Sequence, residues 1–131
     1  MTAIPSTVGE WSGVQVEPHD RGGQEFTLAG REFGHIHPDR VVDFPFARRV
    51  RDILIEEGVA EKHHIYPDSG WVSSYIDGAE SIERALWLLR VSYLYHAVSM
   101  QNRDSSKDFA DIDIEKNSTS WTRAMISERF L

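Results

Sequence analysis

Apolar and polar positions first alternate along this chain and later recur at helical spacing. Val14 and Val16 alternate with polar neighbours, which predicts a strand, because strand side chains project to opposite faces in turn. His19-Asp20-Arg21-Gly22-Gly23 breaks the alternation and reads as a turn, since its glycines accept positive φ. Phe26 and Leu28 resume the alternation over residues 24–29. Ala29-Gly30 supplies a tight turn, and residues 31–37 read as a third strand. Pro38-Asp39 interrupts, and residues 40–44 read as a fourth. Four short strands joined by short turns predict an antiparallel meander.

Periodicity then changes. Pro45 is expected to open a helix, where its missing donor costs nothing. Phe46, Val50, Ile53 and Leu54 form one apolar stripe, and Gly58 closes the helix. Residues 59–66 show no clear period. Pro67-Asp68-Ser69-Gly70 signals a turn before a strand over 71–76. A second helix follows, with Asp77 as its cap and Glu80 placed as in a capping box. Its stripe is Ile82, Leu86, Leu89 and Tyr93, running to about His96 or Met100. The expected fold is α+β, a mostly antiparallel sheet of about five strands with two helices packed on one face. The expected organisation is an irregular arm over 1–11, a single domain over 12–100 and an appendage over 101–131. The appendage is expected to be partly disordered or docked, with a short amphipathic helix through Trp121 and Met125.

Composition narrows the function classes. The 131 residues suit one domain, with 14 basic and 21 acidic side chains and a net charge of −7. That balance makes nucleic acid an unlikely partner, because phosphate binding needs a basic footprint. The one dense basic run is Arg48, Arg49 and Arg51, with Arg40 upstream. It keeps a nucleic-acid reading as an alternative. There is no cysteine, which excludes disulfides, thiolate chemistry, cysteine-ligated zinc and iron–sulfur clusters. No apolar run reaches the roughly 18 residues of a membrane span, and residues 1–11 lack a secretory pattern. A cytoplasmic location without a membrane partner is therefore expected. Phosphate-loop and dinucleotide fingerprints are absent. Ser69, Ser73 and Ser74 sit in no nucleophile elbow.

The histidines carry most of the chemistry. His35 and His37 stand two apart on a predicted strand, so both imidazoles face the same way. With Asp43 on the next strand and His63 or His64, they form a sensible nitrogen–oxygen ligand set for a divalent metal. Because His63 and His64 are adjacent, only one of them is expected to face this set. The Gly34-His35-Ile36-His37 stretch is similar to the opening of a cupin metal site, although the second cupin motif has no match. The competing reading is a hydrogen-bonded network that only specifies the fold, with Asp43 paired to Arg51. Glu32, Asp39, Asp43 and Asp68 are carboxylates available for acid–base work beside a histidine. Trp71 is either a core ring or the wall of a groove.

Several blocks recur together: Gly30 to Asp39, Val42 to Phe46, Val50 to Asp52, His63-His64, Pro67 to Val72 and Leu89 to Tyr93. In that order they resemble the small proteins described as the luciferase domain, over about residues 12–97. The resemblance implies functional positions at His35, His37, Asp43, Arg51, His64, Ser69, Trp71 and Tyr93. It implies no demonstrated light-emitting chemistry, and luciferase activity is not expected. His64, Trp71, Val72, Ser92 and Tyr93 are also similar to the MmcQ/YjbR-like proteins, which implies a double-wing α+β fold. The leading expectation is a non-catalytic module that binds a small molecule, peptide or protein in a His/Trp/Tyr-lined groove without a cofactor. The alternative is a metal-assisted enzyme with His35 and His37 as ligands.

Overall fold

The computed structural model of the chain describes residues 3–103. Its elements are α1 (Ala3–Gly9), β1 (Val14–His19), β2 (Gly23–Leu28), β3 (Arg31–Ile36), β4 (Val41–Pro45), α2 (Arg48–Glu56), β5 (Glu61–Lys62), β6 (Trp71–Tyr75) and α3 (Ala79–Arg103). The strands form one six-stranded sheet in the order β1-β2-β3-β4-β6-β5, with every pairing antiparallel. This is the expected α+β class, with the meander of the first four strands intact.

Local chemistry explains where elements begin and end. At the β2–β3 hairpin, Ala29 (φ 52°) and Gly30 (φ 80°) are both left-handed. That is the turn whose twist matches two paired strands. Gly34 on β3 has a different role. A Cβ there would lie 2.6 Å from Leu89 Cδ2, so Gly34 leaves room for the Leu89 side chain of α3 against the sheet. Phe26, Phe33, Ile36, Val42, Phe44 and Val72 fill that interface against Ala85, Leu88 and Leu89. Each fully buried large side chain there contributes roughly 1.5–3 kcal/mol. Ser92 Oγ donates to the Phe33 carbonyl at 2.6 Å and pins α3 to β3.

Five features differ from the sequence reading. The irregular arm contains α1, whose Ile4 and Val8 are fully buried in the core. Pro45 ends β4 opposite Trp71 instead of opening a helix, and α2 starts at Arg48. The cap of α3 runs through Ser81, not Glu80. Ser81 Oγ accepts from the Asp77 and Gly78 N–H groups at 2.8 and 3.0 Å. A short sixth strand, β5, lies in the stretch without periodicity. α3 continues to Arg103, past the predicted end. The rest of the expected appendage, including the helix through Trp121 and Met125, lies outside the described residues.

Candidate metal centre on the sheet face opposite α3

A row of directly paired residues crosses three strands. His35 on β3 stands opposite Asp43 on β4, and Asp43 stands opposite Ser73 on β6. Directly paired residues share a face of the sheet. The apolar neighbours of this row, Gly34 and Phe44, point to α3, so the row itself points away from it. Register adds a further member. Phe26 pairs with Gly34 but Thr27 pairs with Glu32, which leaves Phe33 as the extra residue of a β-bulge. A regular strand would put Glu32 and His35 on opposite faces. The bulge puts them on one, and His35 Nδ1 lies 3.3 Å from Glu32 Oε2.

Four imidazoles converge on one carboxylate oxygen. Asp43 Oδ2 lies 2.9 Å from Nε2 of His35, 2.8 Å from Nε2 of His37 and 3.2 Å from Nε2 of His64. Nε2 of His63 is 3.3 Å away. Nε2 of His35 and Nε2 of His37 are 3.1 Å apart. The other carboxylate oxygen, Oδ1, accepts from Ser73 Oγ at 2.6 Å. Asp43 is completely buried. The expectation that only one of His63 and His64 faces the set is corrected here. The strand rule of alternating sides does not govern them, because residues 63–66 form a loop beyond β5.

The two histidines nevertheless differ in their protons. His63 Nδ1 accepts the backbone N–H groups of Ile65 and Tyr66, at 3.1 and 3.0 Å. A ring nitrogen that accepts carries no proton, so neutral His63 keeps its proton on Nε2 and donates it to Asp43. Burial, the largest influence, holds the His63 pKa below its usual value and so favours this neutral form. His35 is the opposite case. Burial disfavours its charge, but hydrogen bonds to Asp43 and Glu32 outweigh that and push it up to about 9. Burial likewise opposes the charge of Asp43. Hydrogen bonds from His35, Ser73, His37 and His64 prevail and hold it well below the usual carboxylate range.

Around these atoms lies a groove of about 390 Å³. The Trp71 ring forms one wall, 5.2 Å from the His35 ring. Ile65 and Tyr66 line it and are 59% and 64% exposed. At the other rim, His19 stacks on His35 at 4.2 Å and its Nδ1 lies 3.0 Å from Glu25 Oε1. His19, Glu25, Arg21 and Tyr66 had no signal in the linear spacing. Cross-strand register places Glu25 opposite His35, and the turns at residues 20–22 and 64–66 bring the others in.

Of the other residues singled out from sequence, Arg51 donates to the carbonyls of Ser69 and Pro67 at 2.9 and 3.4 Å, tying α2 to the 63–70 loop. It pairs with Asp52 rather than Asp43. Ser69 Oγ donates to the Tyr66 carbonyl and braces the same loop. Neither lines the groove. Tyr93 is buried on the α3 side, 5.5 Å from Phe33, with its hydroxyl donating to the Ser12 carbonyl at 2.6 Å. The basic run is divided. Arg48 and Arg49 are exposed at the start of α2, while Arg51 serves the loop.

The family model described as luciferase domain matches residues 30–92. Over that stretch the chain is similar to the luciferase-domain family. The matched segment runs from the β2–β3 turn into α3 and contains His35, His37, Asp43, His63, His64, Trp71 and Ser73. His19, Arg21 and Glu25 lie before it. No curated protein and no solved structure matches the chain. The double-wing likeness gains no support from these matches. Among the described residues, no helix is long and apolar enough to cross a membrane.

Proposed function

We propose that this chain is a metalloprotein in which His35, His37, His64 and Asp43 hold one divalent first-row transition ion, with the groove open to a small molecule. The observation that carries the reading is the convergence of four Nε2 atoms on Asp43 Oδ2. One carboxylate oxygen offers about two lone pairs, too few for four N–H donors. The short approach of His35 to His37 also requires one of the two nitrogens to present a lone pair. A cation resolves both conflicts. Donors bound about 2.0–2.2 Å from a common ion at right angles stand roughly 3 Å apart. The pairs His35–His37, His35–Asp43, His37–Asp43 and His64–Asp43 stand 3.1, 2.9, 2.8 and 3.2 Å apart.

The surroundings fit the same reading. Glu32 takes the Nδ1 proton of His35, as a carboxylate commonly does for a ligating imidazole. Ser73 fixes the second oxygen of Asp43. His63, with its proton held on Nε2, serves as a donor to Asp43 and not as a ligand. An imidazole-rich set without sulfur suits zinc, iron, nickel or copper. A bound ion would supply Lewis acidity toward a water or ligand oxygen entering from the groove. The groove and the metal then form one site.

Elemental analysis of untagged protein tests this, beside a His35→Ala/His37→Ala variant whose fold is checked by circular dichroism. The expected result is about one transition ion per chain, lost in the folded variant. Metal far below one per chain, with no rise in melting temperature on adding zinc, iron(II) or nickel, overturns it.

A further inference from the structure

The groove has a cation at its rim that the metal site does not use. Arg21 lines it beside His19, and its guanidinium has no hydrogen bond or ion pair among the described residues. Its backbone is left-handed, at φ 61° and ψ 33°, and Gly22 follows at φ 81°. Glycine adopts that conformation freely, whereas arginine is strained in it. Two carboxylates share the lining with Arg21. Asp43 is committed to the four imidazoles, and Asp20 adjoins Arg21 in the same turn. On the far rim, Trp71, Ile65 and Tyr66 present apolar surface, and the latter two are largely exposed.

We propose that the groove takes a small monocarboxylate with an apolar or aromatic body. Its carboxylate pairs with the Arg21 fork, and its body lies against Tyr66 and Trp71. Guanidinium matches a carboxylate through two parallel N–H···O bonds, which gives selectivity over a neutral isostere. This proposal rests on the metal reading only for the ion beneath the ligand. The pairing with Arg21 and the apolar wall exist without it.

Phenylacetate and its neutral analogue phenylacetamide are the probes, titrated calorimetrically into wild type and Arg21→Gly, each zinc-loaded and metal-free. Arg21→Gly removes the fork and relieves the backbone strain, so its melting temperature is expected to equal or exceed that of wild type. Wild type is expected to prefer phenylacetate by about tenfold or more, the ratio typical of a lost charged hydrogen bond. The preference should vanish in Arg21→Gly and return in part in Arg21→Lys. Equal binding of the two probes by wild type, unchanged preference in Arg21→Gly, or no phenylacetate binding in either metal state overturns the proposal. Zinc content of the same samples decides the metal reading separately. Absent zinc with an Arg21-dependent preference sinks only that reading, and bound zinc without the preference sinks only this one.

Discussion

On β4, Val42 and Phe44 point toward α3 and Asp43 between them points away, and all three are fully buried. The two faces of one strand therefore solve different problems. Toward α3, any well-packed set of apolar side chains of the right volume holds the sheet. On the other face, burial of a carboxylate is tolerable only because named partners meet each oxygen. The first face fixes the strands, and the strands in turn fix the spacing of His35, Asp43 and Ser73. Once the sheet is held, hydrogen-bonded register, and not side-chain volume on the core face, sets the donor–donor distances.

Substitutions confined to one face separate the two roles. The largest effect is expected from Phe44→Ala, which removes a fully buried ring from the α3 interface. Unfolding by urea should show a loss of about 3–5 kcal/mol, while the folded fraction keeps its zinc affinity. An affinity that falls along with stability would mean that the faces are not separable. On the site face, His64→Ala removes a proposed ligand and His63→Gln a side chain proposed only to donate to Asp43. Competition titration should show the larger loss for His64→Ala. The reverse order would exchange the two roles.

A smaller effect is expected from Glu32→Gln, which weakens the partner of His35 Nδ1 but leaves every proposed ligand in place. Zinc affinity should drop about 10- to 100-fold, as for other second partners of ligating histidines, with little change in the melting temperature of metal-free protein. The smallest effect concerns pH. The His35 pKa is raised from 6.5 to about 9 in the folded chain. Its contribution to stability is therefore full below pH 6.5 and is lost as pH rises through about 9. Denaturation midpoints of metal-free protein should fall over that window. Saturating zinc should flatten the fall, because ligation needs the unprotonated ring.

Much of this architecture is legible in the sequence. Alternation around Val14, Phe26, His35 and Asp43 gives the meander, and the His35/His37 spacing gives a shared face. Other parts depend on pairings that no linear window contains. Glu32 reaches His35 only because Phe33 is extra in the register. His63 and His64 both reach Asp43 because they lie in a loop, where side chains need not alternate. Tyr93 looks equivalent to the groove residues in sequence, yet it falls on the α3 side. The helix at residues 3–9 is obscured by Pro5 and Gly9, and it is the buried Ile4 and Val8 that hold it in place.

The most direct test is anomalous diffraction at the zinc edge from crystals of zinc-loaded protein. One peak is expected about 2.0–2.2 Å from Nε2 of His35, His37 and His64 and from Asp43 Oδ2, with His63 beyond bonding distance and still hydrogen-bonded to the carboxylate. A peak elsewhere on the molecule, a site in which His63 replaces His64, or no peak at all contradicts it.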